Sequence, residues 1–196
     1  MINRGRKIVA IASSTGGPKA LQELIPLLPS NLNAPVVLVQ HMPAGFTEAL
    51  ANRLNEISPI AVSQAVDGEV IKTGHVYISK GGMHMNVDQT GMGCVIRYSD
   101  EPHREGVKPC ANYMYESLIR CGYDEVICVV LTGMGADGTA GIKALKEKKK
   151  TTIMVQNEET CTVYGMPKAA VKAGLTTTEL DLHSLAKEII QNAGVY

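Results

Sequence analysis

The apolar residues of this chain occur in two patterns, continuous runs of strand length and runs spaced three or four residues apart. Continuous runs at 7–12, 36–40 and 126–131 predict buried parallel strands. Residues 18–28 carry apolar side chains at helical spacing between the first two runs, which predicts a βαβ unit. The order of elements therefore predicts an α/β fold with a doubly wound, mostly parallel sheet and flanking helices.

Further segments extend this pattern towards the C-terminus. Helical spacing predicts helices at 45–57, 111–121, 139–148, 167–173 and 181–192, and a short apolar run predicts a strand at 152–156. Between residues 60 and 98 the runs become short and alternating, with turn residues between them at 67–69, 81–82 and 89–91. This part predicts a β-hairpin insert beside the parallel sheet, followed by a loop at 99–109.

Composition narrows the class of protein. The 196 residues are 45% hydrophobic and 19% charged with a formal net charge of zero, which predicts one domain over 7–196 preceded by a tail or linker remnant at 1–6. An even charge balance argues against a nucleic-acid partner. Apolar runs of strand length argue against membrane insertion, and the N-terminus has no export signal. Five cysteines without paired spacing predict reduced, mostly core thiols and a cytoplasmic location.

Candidate chemistry lies where three predicted strands end. Ser14 follows the first strand and precedes Gly16, Gly17 and a helix start, His41 follows the second strand, and Asp137 follows the late strand. Parallel strands end at the same edge of a sheet, which is also where open α/β sheets bind ligands. A serine, a histidine and an aspartate at one edge predict nucleophilic ester hydrolysis.

Other interpretations of these turns remain open. Two features disfavour the α/β-hydrolase fold. Ala12 occupies the position of the first glycine in the G-x-S-x-G motif, and the acid comes after the histidine in the chain, whereas in that fold it comes before. A non-catalytic module could instead bind a nucleotide or phosphate at the glycine-rich turns 13–17 and 133–138. The first turn, however, lacks both G-x-G-x-x-G and the Walker lysine pattern. A purely structural adaptor is the third alternative.

Four longer motifs carry a resemblance to a known family. They are I-A-S-S-T-G-G-P at 11–18, Q-H-M-P at 40–43 followed by G-F-T at 45–47, L-T-G-M-G-A-D-G at 131–138, and Y-G-M-P at 164–167. Together with 67–69, 74–78 and 81–85, they resemble the catalytic domain of the chemotaxis protein-glutamate methylesterases, the CheB family. The resemblance covers roughly residues 7–190.

This resemblance implies a function for the domain. It implies hydrolysis of γ-glutamyl methyl esters on the cytoplasmic helices of methyl-accepting chemotaxis receptors, and deamidation of receptor glutamines, with no cofactor. By their place in the motifs, Ser14 is the nucleophile, His41 the base and Asp137 the acid. The backbone at Thr15 and Met134 is the expected source of oxyanion donors.

Some stretches depart from the family pattern. P-C-A-N at 109–112 replaces a more usual P-S-V-D, and the 81–85 stretch varies on the usual form. We expect both to affect the rim of the site and not the triad. The receiver domain that usually precedes this domain is absent from the chain, which implies an excised catalytic domain or a stand-alone form.

Several residues have an ordinary structural interpretation beside a functional one. Surface positions are expected for His75, His84, His103 and His183, a buried thiol for Cys161, and a solvated helix end for the lysine-rich run 146–150. No histidine pair has the spacing of a metal site, so none is predicted. Met42, Met134 and Met166 fit core packing and an apolar floor for a receptor helix equally well.

Overall fold

A computed structural model describes residues 5–196. The strands of this part of the chain are β1 (Lys7–Ser13), β2 (Val36–Gln40), β3 (Ala61–Gln64), β4 (His75–Ile78), β5 (His84–Thr90), β6 (Gly93–Ser99), β7 (Glu125–Val130), β8 (Lys150–Gln156) and β9 (Thr178–Leu180). Its α-helices are α1 (Gly17–Leu24), α2 (Thr47–Ile57), α3 (Ala111–Ser117), α4 (Thr139–Lys146), α5 (Met166–Lys172) and α6 (Leu182–Ala193).

Seven strands form one parallel sheet in the order β3-β4-β2-β1-β7-β8-β9. β1 lies at the centre, paired with β2 on one side and β7 on the other. From β1 the chain first builds the half of the sheet that contains β2, β3 and β4, and then returns to build the half that contains β7, β8 and β9. The strand order therefore reverses beside β1, and open α/β sheets bind ligands at the carboxyl edge of such a point.

Two hydrophobic cores cover the two faces of the sheet. Ile8, Ala10 and Ala12 of β1 point into the core formed with α3, α4, α5 and the β5–β6 hairpin. Val9 and Ile11 point into the core formed with α1, α2 and α6. Because a central strand is buried on both faces, its sequence is a continuous apolar run.

The predicted β-rich insert is only partly correct. β5 and β6 do form an antiparallel hairpin, with His84 opposite Ser99 and Thr90 opposite Gly93. β3 and β4, which the prediction placed in the same insert, pair in parallel with each other and extend the main sheet. β3 and β4 have only four residues each, and so short a run does not distinguish a strand of the main sheet from a hairpin strand.

Other differences concern the ends of elements and the termini. The first helix ends at Leu24 and continues as a 3₁₀ turn over Ile25–Leu27, because Pro26 has no N–H to donate. β9 was not predicted. Residues 1–4 of the predicted tail lie outside the described part of the chain. Within residues 5–196, no helix is both long and apolar enough to cross a membrane.

The lysine-rich run is more than a solvated helix end. Lys149 donates to the carbonyls of Cys121 and Tyr123, the latter at 2.7 Å, and Lys150 begins β8. All five cysteines are free thiols, as predicted, and four of them are buried.

Candidate active site

β1 ends directly before Ser14, whose backbone is fixed on both sides. The Ser14 N–H donates to the carbonyl of Thr132 at 3.0 Å, and the Ser14 carbonyl accepts from the N–H of Gly17 at 2.8 Å. Gly16 adopts φ 81°, and a Cβ there would lie 2.4 Å from Thr162 Oγ1. This turn therefore requires glycine, and it holds Ser14 half-buried at the carboxyl edge of the sheet.

Ser14 and His41 are neighbours across the sheet. β1 and β2 pair Ser13 with Gln40, so Ser14 and His41 directly follow paired residues on strands that lie about 4.8 Å apart. The buried Gln40 side chain accepts from Ser13 Oγ at 2.7 Å and donates to the carbonyls of Ser14 and His41 at 3.0 and 3.1 Å. Sequence reasoning missed Gln40, although an amide ending an apolar strand is a signal for such a role.

The structure brings two of the three predicted catalytic residues into direct contact. His41 Nε2 lies 2.7 Å from Asp137 Oδ2. His41 Nδ1 is buried and has no hydrogen-bond partner within residues 5–196. In the same part of the chain no hydrogen bond joins Ser14 to His41. Since Asp137 accepts the Nε2 proton, the lone pair of a neutral His41 ring is on Nδ1.

Asp137 is 3% exposed and accepts four hydrogen bonds. Oδ2 accepts from His41 Nε2 and from the N–H of Ala111 at 2.6 Å, and Oδ1 accepts from Cys110 Sγ and the N–H of Asn112, both at 3.0 Å. Burial alone raises the pKa of Asp137, but the bonds from His41, Cys110 and Ala111 outweigh it, so the pKa lies below its usual value. Asp137 is therefore an anion at neutral pH.

The sequence profile of the CheB methylesterase family matches residues 9–189. The chain belongs to this family. The protein-glutamate methylesterase/protein-glutamine glutaminase of Geobacillus kaustophilus is 46% identical over 187 residues, 95% of this chain and 54% of that relative. The protein of the same name from Bacillus subtilis is 51% identical over 173 residues, 87% of this chain and 48% of that relative. The chain thus spans about half the length of these curated CheB relatives.

A solved structure of the CheB family has the same fold. The crystal structure of the Thermotoga maritima CheB methylesterase catalytic domain matches with a TM-score of 0.91 and 38% identity, covering 95% of this chain and 98% of that one. The resemblance inferred from the motifs and the predicted α/β fold are both confirmed.

One prediction about departures from the CheB pattern is wrong. The P-C-A-N run at 109–112 does not act only at the rim, because Cys110, Ala111 and Asn112 supply three of the four hydrogen bonds to Asp137. Two of these donors are backbone N–H groups. A backbone donor has no residue-type signature, so little in the sequence indicates this contact.

The predicted oxyanion donors are the backbone N–H groups of Thr15, which directly follows Ser14, and of Met134, which directly follows Gly133. Thr132 Oγ1 donates to the carbonyl of Thr15 at 2.9 Å, and a Cβ on Gly133 would lie 2.8 Å from Ser14 Cβ. Within residues 5–196 the backbone N–H groups of Thr15 and Met134 have no acceptor. Both are therefore free to bind a developing oxyanion, and their assignment stays a prediction.

The remaining histidines are mostly structural. His84 is fully buried, so its predicted surface position is wrong. His103 and His183 are exposed, and His75 stacks on Tyr77 with ring centroids 4.4 Å apart. Within residues 5–196 no group of three or more histidine, cysteine, aspartate or glutamate side chains is placed to hold a metal ion.

The three methionines of the motifs have different environments. Met166 is fully buried in the core, and Met42 packs partly buried against the other core. Met134 is 68% exposed, and Phe46, in the turn after His41, is 58% exposed. Met134 is the most exposed of the three methionines. Cys161 is half-buried.

Proposed function

We propose that this domain hydrolyses γ-glutamyl methyl esters on the cytoplasmic helices of chemotaxis receptors, releasing methanol, with Ser14 as nucleophile. The observation that carries the proposal is the His41–Asp137 pair at 2.7 Å beside the strand end that bears Ser14. The names of the relatives support both esterase and glutaminase activity. The chain then works in the cytoplasm, where such receptor helices lie.

In the first half-reaction, His41 Nδ1 takes the proton of the Ser14 hydroxyl as the oxygen attacks the ester carbonyl. Asp137 keeps the ring in the tautomer with a proton on Nε2, and it stabilises the imidazolium that forms. This ring orientation is the reverse of the common serine-protease arrangement, in which the carboxylate binds Nδ1. Either ring nitrogen can accept a proton, so the chemistry is equivalent.

Collapse of the tetrahedral intermediate breaks the bond to the methoxy group, and the imidazolium of His41 protonates the departing methanol. Water then attacks the glutamyl ester of Ser14, giving its proton to His41. The second collapse returns that proton to the Ser14 oxygen and releases the receptor glutamate. A glutamine side chain follows the same course with ammonia as the leaving group.

The backbone N–H groups of Thr15 and Met134 are the proposed oxyanion donors in both half-reactions. Their support is that Thr15 directly follows Ser14, that Gly133 before Met134 packs against Ser14, and that neither N–H has an acceptor within residues 5–196. Preorganised donors of this kind stabilise the charge that develops in the transition state. The exposed side chains of Phe46 and Met134 support contact with a partner helix beside the ester.

The phosphate-binding alternative gains no support from the site. Asp137 places an anion within the second glycine-rich turn, and an anionic ligand would be repelled there.

The proposal is tested by measuring methanol release from membranes that carry methylated receptors. Ser14→Ala should abolish release, because no other group at this position can form the acyl intermediate. Ser13→Ala is the matched control: its hydroxyl is fully buried and bonded to Gln40, so release should remain within a few-fold. Undiminished release from Ser14→Ala, with its fold intact, would refute the assignment.

A further inference from the structure

The residues at the start of α3 form hydrogen bonds to other groups besides the Asp137 carboxylate. The side chain of Asn112 is fully buried, and its Oδ1 accepts from the N–H groups of Gly138 and Gly141 at 3.1 and 2.7 Å. Its Nδ2 donates to Glu105 Oε1 at 2.7 Å. The 110–112 segment thus bonds to Asp137 and to the two backbone groups that follow it at the start of α4.

We propose that Cys110 and Asn112 are positioning residues of the triad, which fix the Asp137 carboxylate against His41 without touching substrate. The inference rests on the proposed esterase function and adds to it. It assigns part of the rate of that reaction to side chains outside the triad.

Cys110 is suited to donate to an anion. Its thiol is fully buried, and burial together with the neighbouring Asp137 raises the pKa of Cys110 to about 12. The thiol is therefore protonated at neutral pH, and its S–H points to Asp137 Oδ1 at 3.0 Å. The N–H of Cys110 donates to His84 Nδ1 at 3.2 Å, and His84 Nε2 in turn bonds to the carbonyl of Pro102 at 3.1 Å. This chain of bonds fixes the position of the thiol.

The position of Asn112 is fixed by both ends of its amide. The oxygen faces two N–H donors, so the nitrogen must face Glu105, whose carboxylate can only accept. The backbones of α3 and α4 also meet here, since a Cβ on Gly141 would lie 2.6 Å from the carbonyl oxygen of Asn112. Movement of Asn112 would therefore displace the turn that carries Asp137.

Few groups near Asp137 can change its electrostatic environment. His41 approaches from the end of β2, and Cys110 and Tyr115 approach from α3, with Glu105 behind Asn112. Burial raises the pKa values of Cys110 and Tyr115, so neither ionises near neutral pH. Of these groups, only histidine ordinarily changes its charge between pH 5 and 8.

The first test compares variants at Cys110. Cys110→Ala should lower kcat about 3- to 10-fold with KM unchanged, since Asp137 loses one donor. The acid limb of the pH–rate profile should move to higher pH, because a carboxylate with fewer donors holds the imidazolium more tightly. Cys110→Ser should restore kcat and the profile, because a hydroxyl also donates.

Cys128→Ala is the matched control, since it removes another fully buried thiol whose nearest acceptor is 4.0 Å away. Its kcat should equal that of the unmodified protein. The inference is overturned if Cys110→Ala and Cys128→Ala have the same kcat and profile, or if Cys110→Ser is as slow as Cys110→Ala.

The second test exchanges the groups that face each other at positions 112 and 105. Asn112→Asp places a carboxylate against Glu105, and kcat should fall about tenfold or more. Adding Glu105→Gln should recover most of the rate, because the introduced amide can donate to the introduced carboxylate. If the single variant fails to fold, the double variant decides alone. A double variant that folds with an equal or greater loss of kcat would contradict the role of Asn112.

A third measurement separates this inference from the proposed function. The proton on His41 Nε2 reports its bond to Asp137 through its ¹H chemical shift, which requires no substrate. We expect this resonance to move in Cys110→Ala and to stay in place in Cys128→Ala. If it moves while the unmodified protein hydrolyses no methyl ester, the esterase proposal fails and the positioning role stands. If hydrolysis is observed and the resonance does not move, the positioning role fails alone.

Discussion

Two nearly buried carboxylates lie at opposite edges of the same sheet, Asp137 at the carboxyl edge and Glu125 at the amino edge. They are 3% and 4% exposed. Burial raises the pKa of each, and hydrogen bonds outweigh burial, so both pKa values lie below their usual range. Burial, charge and the direction of the pKa shift therefore do not distinguish the candidate catalytic carboxylate from the other.

The partners of the two carboxylates do distinguish them. Glu125 lies 3.2 Å from Lys7 Nζ and 3.0 Å from Lys150 Nζ, and lysine side chains are ordinarily cations near neutral pH. Asp137 instead contacts His41, and histidine is the side chain that ordinarily gains and loses a proton in that range. A carboxylate between two fixed charges stabilises the fold, whereas one bonded to an imidazole can support proton transfer.

The size of a neighbouring cleft does not locate the candidate active site. A cleft of about 450 Å³ lies beside Glu125, between Lys7, Lys150 and Asn192. A smaller cleft of about 290 Å³, lined by Gly16 and Thr132, has none of Ser14, His41 and Asp137 in its lining. Catalysis depends on which groups can exchange protons, and the volume of a cleft does not report that.

The largest expected effect contrasts Asp137→Asn with Glu125→Gln in the methanol-release assay. An amide at 137 can donate to the ring and favour the wrong tautomer of His41, so kcat should fall about 10³- to 10⁴-fold. Glu125→Gln should leave kcat within about twofold, because the substitution lies at the far edge of the sheet. Equal losses in the two variants would remove the distinction drawn above.

A smaller effect is expected on the pH dependence of kcat/KM. Only a neutral imidazole can accept the serine proton, so activity should fall on acidification as His41 becomes protonated. Once the ring is mostly protonated, the decline should approach tenfold per pH unit. Glu125→Gln should leave this profile unchanged. A flat profile between about pH 5 and 8 would argue against His41 as the base.

The smallest effect concerns stability. Glu125→Gln should lower the free energy of unfolding at pH 7 by about 1–2 kcal/mol, because two lysines lose their shared anion. The pKa of Glu125 is lowered in the fold, so the stabilisation is present above the unfolded value of about 4.3 and is lost as the pH falls through the folded value.

Urea denaturation at pH 7 and at about pH 3 measures this difference. It should be smaller at the lower pH, where Glu125 is increasingly protonated. Glu147→Gln, at the exposed end of α4, is the control and should change little at either pH. If the loss of unfolding free energy in Glu125→Gln were larger at the lower pH, the predicted direction of this pH dependence would be wrong.

The central strands and the candidate catalytic residues at their ends are predictable from the sequence for the same reason. Strands buried on both faces are continuous apolar runs, and the polar residues that end them, such as Ser14 and His41, stand out against that background. β3 and β4 were misplaced because runs of four residues are too short to distinguish a sheet strand from a hairpin strand. β9 has only the residues Thr178–Leu180, with a glutamate between them, and was missed for that reason.

The surroundings of Asp137 were less predictable. The donors from Ala111 and Asn112 are backbone groups, and they reach Asp137 only because α3 packs against the start of α4. Tertiary contacts between residues 25 or more positions apart leave no local pattern. His84 was misjudged on the same ground, since its burial depends on how the hairpin packs against α3.

Gln40 has a consequence for motion. Its amide holds the backbones of Ser14 and His41 at once, so a thermal displacement of one strand end carries the other with it. The backbones that carry the Ser14 hydroxyl and the His41 ring then move together, and the alignment of the two groups depends mainly on side-chain torsions. The His41 side chain is 9% exposed and bonded to Asp137, so the half-buried Ser14 side chain has the greater freedom to rotate, and such rotation is faster than collective rearrangements of the fold.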